Sequence, residues 1–141
     1  MLFRSGKSGC EAITVRVPLG DATKPIKVSA SAGNGDLKIT GITGSATGST
    51  KNGDTTLSLT PSKGSTVSAS GDAATVALPA SFAADMITLS VASGSKGKVV
   101  TTDFADVQSG KGRGNAGEGA ASITVTANGP FDDDNATLKK Q

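Results

Sequence analysis

Apolar and polar residues alternate one for one in a series of short runs, which is the period of a half-buried β-strand. In Ala12-Ile13-Thr14-Val15-Arg16-Val17, the residues Ile13, Val15 and Val17 share a face, and Pro18 ends the run. Pro25-Ile26-Lys27-Val28-Ser29-Ala30 repeats the pattern. Leu37-Lys38-Ile39-Thr40-Gly41-Ile42 follows the turn residues Gly33-Asn34-Gly35-Asp36. Thr55-Thr56-Leu57-Ser58-Leu59-Thr60 follows Lys51-Asn52-Gly53-Asp54, whose Asn-Gly pair favours a tight hairpin turn. Next come Ser65-Thr66-Val67-Ser68-Ala69 and Ala74-Thr75-Val76-Ala77-Leu78, then Pro79. Met86-Ile87-Thr88-Leu89-Ser90-Val91 and Lys98-Val99-Val100-Thr101-Thr102 flank Ser93-Gly94-Ser95-Lys96-Gly97, a second hairpin signal. The last run is Ser122-Ile123-Thr124-Val125-Thr126. Ser81 to Asp85 reads as one short helical turn or an irregular crossing.

No window holds a 3.6-residue apolar stripe over three turns. Short strands with a turn signal every few residues predict an all-β fold. The expected form is an antiparallel β-sandwich of about 7–9 short strands, in a Greek-key or transthyretin-like arrangement. The 141 residues fit one domain. Within it, 1–10 reads as a ragged N-terminal segment, 11–107 as the sandwich, and 108–120 as a glycine-rich loop or linker. The stretch 121–141 reads as a last strand and a polar tail.

Composition narrows the chemistry. Gly, Ala, Ser and Thr make up 72 of the 141 residues, which suits a thin core with many turns. There is no His, so the commonest general base and metal ligand are missing. Fourteen Lys and Arg against 12 Asp and Glu leave a net charge of +2, spread without a basic cluster. With no Trp or Tyr to stack on bases, a nucleic-acid partner is not expected. Cys10 is alone, so the sequence offers no intrachain disulfide and no cysteine metal cluster. No run of about 20 apolar residues spans a membrane.

Several motifs imitate active sites. Gly6-Lys7-Ser8 carries the closing letters of a phosphate-binding loop, but Met1 stands where the first glycine belongs, and an alternating strand follows. Met1 to Ser5 is read instead as a remnant of sequencing-adapter DNA translated from a GTG start. The run Gly112-Arg113-Gly114-Asn115-Ala116-Gly117 matches G-x-G-x-x-G, yet no helix follows to receive a pyrophosphate. Asp132-Asp133-Asp134-Asn135 lacks EF-hand spacing and reads as a solvated acidic run. Asn135-Ala136-Thr137 matches the glycosylation sequon, a frequent chance match. Asp103 and Asp106 could do acid-base work only by converging in a pocket, whereas Phe104 and Val107 read as core plugs. Asp21, Asp36, Asp54, Asp72 and Asp85 sit mostly in turn contexts, where a carboxylate bonds the local backbone. No catalytic, cofactor-binding or metal-binding residue is therefore assigned, and no enzyme activity, cofactor or small-molecule substrate is expected.

The order of phrases from about Ile13 to Arg113 resembles the fimbrillin-like surface proteins of Bacteroidota. It is carried by Leu37-Lys38-Ile39-Thr40-Gly41, Thr56-Leu57-Ser58-Leu59, Val76-Ala77-Leu78-Pro79-Ala80-Ser81-Phe82, Ile87 to Val91, and Val99-Val100-Thr101-Thr102. The resemblance implies a non-catalytic extracellular β-sandwich module acting in pilus assembly or adhesion, anchored to the outer membrane through an upstream segment. Its implied partners are subunits of the same or a related type, joined by strand donation at an open sheet edge. A second reading is an immunoglobulin-like accessory domain of a large adhesin or phage virion protein. A third, a carbohydrate-active fragment, is disfavoured by the absence of Trp and Tyr.

Overall fold

The computed structural model describes residues 2–5, 20–82, 84–101, 103–104, 107, 111–113 and 120–141, with backbone alone at 2–5. Among the described residues there are eleven strands: β1 (Leu2–Ser5), β2 (Ile26–Asn34), β3 (Leu37–Asn52), β4 (Thr55–Thr60), β5 (Thr66–Gly71) and β6 (Ala74–Leu78). They continue as β7 (Ala84–Val91), β8 (Val99–Val100), β9 (Lys111–Gly112), β10 (Ala121–Ala127) and β11 (Ala136–Lys140). No helix occurs among the described residues. The all-β class stands, but the antiparallel sandwich does not. The strands form one mixed, mostly parallel sheet curled into a half-barrel.

The curl passes through β3. Its first half pairs with β4, its second half pairs with β2 and β5, and the register shifts between Thr40 and Ile42. Gly44 stands at the bend with φ +132, and a Cβ there would overlap the Ile26 carbonyl. No L-side chain fits that backbone. The sheet thus has two limbs. The first runs β1-β2-β3-β5-β10-β7-β9; the second runs β3-β4-β6-β11-β8.

From β2 to β6 the chain passes alternately through the two limbs, so each pass returns beside the one before last and points the same way. Ile26 pairs with Gly44 and Leu37 with Thr55, each eighteen residues on. Parallel neighbours need a crossover of a dozen residues or more, and here the strand on the opposite limb supplies it. This explains why the hairpin expectations fail. Asn52-Gly53-Asp54 carries the chain across to the other limb, and β7 and β8, expected to form a hairpin, do not pair. Alternation records which face of a strand is buried, but it is silent on partner and direction. Of the stretch Ser81 to Asp85, Ser81 lies in a turn with Ala80, Phe82 is buried, and Ala84 and Asp85 begin β7, while Ala83 lies outside the described residues.

The core lies between the limbs, built from inward ladders. Val28, Ala46, Val67, Ile123 and Ile87 form one rung on the first limb. Ile39, Leu57, Val76 and Leu138 form its counterpart on the second. Each fully buried aliphatic side chain contributes about 1.5–3 kcal/mol. Phe82 and Phe104 close one side edge-to-face, with centroids 5.1 Å apart, and Lys140 Nζ lies 5.9 Å from the Phe104 ring.

Strand order breaks chain order once. β10 lies between β5 and β7, and β11 between β6 and β8, so a late coil occupies the middle of the stack. The crossing from β6 to β7 therefore climbs two strand positions, where the crossing from β4 to β5 climbs one. The sequence pattern marked no strand after Thr126. Ala136–Lys140 nonetheless forms β11, with Ala136 and Leu138 buried.

Candidate functional site

Because inward positions alternate with outward ones, the outer face of the first limb is determined along with its core. Its middle row reads Ser29, Thr47, Ser68, Thr124 and Thr88 across β2, β3, β5, β10 and β7. The row beside it reads Ser31, Ser49, Ser70, Thr126 and Ser90. The third reads Lys27, Ser45, Thr66, Ser122 and Met86. Every position but Lys27 and Met86 carries a hydroxyl. Strand geometry sets the spacing, about 4.8 Å between strands and about 6.6 Å between rows. Ser90 Oγ and Thr126 Oγ1 are 3.3 Å apart, and Ser45 Oγ accepts from the Thr66 amide at 3.1 Å. The result is a two-dimensional array of donors and acceptors, charged only at Lys27.

A polar column borders the array where the chain crosses between limbs. Asn52 Nδ2 donates to Asn34 Oδ1 at 2.7 Å. Asp36 Oδ1 accepts the Asp54 amide at 3.0 Å, and Asp54 Oδ1 accepts the Ala73 amide at 3.1 Å. Asp72 Oδ2 accepts the Gly53 amide at 2.8 Å. These carboxylates were expected to bond the local backbone; instead they bond the neighbouring coil, eighteen or nineteen residues away. Asp21 does bond locally, accepting from Thr23 N, Thr23 Oγ1 and Lys24 N. The Thr23 hydroxyl first, then the Lys24 and Thr23 amides, hold its carboxyl below the usual carboxylate value.

At the far end β9 pairs antiparallel with β7, Thr88 facing Lys111 and Ile87 facing Gly112. Asp85, Met86, Ile87, Thr88, Lys111, Gly112 and Arg113 line an open groove of about 530 Å³ there. Met86 is 55% exposed beside it. A lysine-bearing strand two residues long is a poor template for further pairing, so β9 blunts this edge.

Among the described residues, the motifs singled out in the sequence do not come together. Gly6-Lys7-Ser8, Cys10, Asp106 and Gly114 to Gly119 lie outside the described residues. Asp103 Oδ2 accepts the Lys140 amide at 3.0 Å, while Phe104 and Val107 are buried in the core. In the acidic run, Asp132 and Asp133 are exposed, and Asp134 is buried with Oδ2 accepting the Phe131 amide at 2.7 Å. Asn135 Oδ1 accepts the Lys98 amide at 2.8 Å. Both side chains build the crossing into β11. Among the described residues, no three His, Cys, Asp or Glu side chains group so as to hold a metal ion.

Sequence reading missed the hydroxyl array, since assembling it requires strand partners as well as alternation. The eighteen-residue return of Asn-Gly-Asp, at 34–36 and 52–54, was the available signal. No protein-family model, curated protein or solved structure matches the chain.

Proposed function

We propose that the chain is a non-catalytic module of a cell-surface or virion structure, acting by contact, with the outer wall of the first limb as the contacting face. The observation that carries this is the three-row, five-strand array, hydroxylic at every position but Lys27 and Met86. A repeating set of neutral hydroxyls offers many weak hydrogen bonds and no single reactive group. Each such bond contributes about 0.5–1.5 kcal/mol at best, so contact strength comes from number and periodicity. The array itself carries no aromatic ring, so it makes contact by hydrogen bonding and not by ring stacking. The matching target is an ordered, hydroxylic solid whose own repeat lies near the strand spacing.

The test is adsorption of the labelled chain to crystalline cellulose and to polycrystalline ice. The expected result is retention on one of these solids, reduced at least tenfold by the pair Thr47→Lys and Thr124→Lys in a protein of unchanged circular dichroism. Equal behaviour of wild type and variant on both solids overturns the assignment of the face.

A further inference from the structure

The coil formed by β10 and β11 sits inside the sheet, although β7 and β8 precede it in the chain. Both edges of β10 are paired, to β5 and to β7, and Val125 pairs with Ala69 on one side and Leu89 on the other. Both edges of β11 are likewise taken, by β6 and β8. The segment is a filled slot.

Two features make that slot exchangeable. The first is pleat. Val67 of β5 and Ile87 of β7 both point inward at the same rung, as do Ala69 and Leu89 one rung along. The flanking strands are thus in phase with each other, and withdrawing the insert lets them close by one strand spacing, about 4.8 Å, with no side chain changing face. The second is where the segment's bonds go. Ser122 N donates to Ser65 O, Asn128 N to Gly71 O, Gly129 N to Asp72 O, and Gln141 N to Leu78 O. Gln141 Nε2 donates to Leu59 O at 2.9 Å. Ile123, Val125, Ala127, Ala136 and Leu138, each 1% exposed or less, bury themselves against the rest of the chain. Little of this depends on which copy supplies the segment. β9, Phe104 and Val107 stay with the donor's own sheet and core, so the tether is the seven residues between Gly112 and Ala120, a reach of about 25 Å when extended, enough to pass to an adjoining copy.

We propose that Ala120–Gln141 is an exchangeable coil, and that its slot accepts the same segment of a second copy of this chain. Exchange builds a dimer when reciprocal and a fibre when each copy donates forward. The inference is independent of the hydroxyl wall and needs no ligand.

Cross-linking between differently labelled copies tests it. In a Cys10→Ser background, one copy carries Ser68→Cys and the other Thr124→Cys, positions that pair across β5 and β10 on the outer wall. The two are unfolded in urea, refolded together over a range of concentrations, and treated with a short thiol cross-linker. A covalent heterodimer is expected, its yield rising with concentration and absent when the copies are refolded separately and mixed afterwards. A single chain carrying both cysteines reports whether β10 lies beside β5 at all. If that chain links internally while the mixture gives no heterodimer, exchange is overturned. If it fails to link, the slot itself is overturned.

Discussion

Asn52 Nδ2 donates to Asn34 Oδ1 at 2.7 Å, joining equivalent positions of two successive coils. With the Asp36, Asp54 and Asp72 carboxylates, each accepting an amide of an adjacent coil, it makes the crossing between limbs a stacked polar column. Replacing Asp72 with Ala leaves the Gly53 amide without its acceptor. The expected cost is about 1–3 kcal/mol, seen as a lower urea midpoint at unchanged slope. Asp85→Ala, an exposed aspartate without such a bond among the described residues, is the control and changes the midpoint little.

Gly53 shows how tightly the column is wound. Its φ is +133, and a Cβ there would stand 2.5 Å from the Gly35 carbonyl oxygen. Gly53→Ala is expected to cost about 3 kcal/mol or more, from backbone strain and a clash with main chain. Gly64 also has positive φ, at +70, but nothing stands within 4 Å of its Cβ position. Gly64→Ala costs about 1 kcal/mol, the strain alone. Thermal melts of the two variants separate steric from conformational cost.

The inserted coil supplies core as well as hydrogen bonds. Leu138 and Val125 are 1% exposed or less, so truncating Leu138 to Ala costs about 2–5 kcal/mol and Val125 to Ala somewhat less. Their outward neighbour Thr124 carries no core packing, and Thr124→Val is expected to change stability by less than about 0.5 kcal/mol. Chemical denaturation of the three variants checks the inward and outward assignment of β10 and β11.

Asp21 gives the pH dependence its sign. Its carboxyl is held below the usual value by Thr23 and the Lys24 amide, so the folded state favours the charged form. The stabilisation is complete above the ordinary aspartate value and disappears as pH falls through the lowered one. Wild type is expected to exceed Asp21→Asn in stability at neutral pH, with the gap closing in acid. An NMR titration of Asp21 should give a midpoint below that of a free aspartate.

Most strands between Ile26 and Thr126 were legible and their partners were not; β1 and β9 fell in stretches read as a ragged end and a loop, and the strand expected at Ala12 to Val17 lies outside the described residues. Alternation in Thr55 to Leu59 and Ser122 to Thr126 marked both strand and buried face, and Leu57, Leu59, Ile123 and Val125 lie in the core. Direction was lost because Asn-Gly-Asp serves a hairpin and a limb crossing equally well by composition. Only its recurrence eighteen residues on separates the two, since a hairpin has no reason to repeat at the length of a full return. β11 was missed because Ala136 to Lys140 holds only one large apolar residue, Leu138, and its strand character comes from β6 and β8 on either side. The hydroxyl wall shared that fate. Each Ser or Thr was read as the polar half of an alternation, and only pairing turns scattered residues into rows.

The two-position climb from β6 to β7 also bears on how the molecule is made. Translation delivers β7 and β8 before the strands on which they will rest, so a growing chain cannot be completed coil upon coil from its beginning. Until β10 and β11 are made, β5 and β7 lack one hydrogen-bonding neighbour and β6 and β8 another. The sheet is therefore completed from within, by late strands seated between neighbours on both sides and not by addition at an edge.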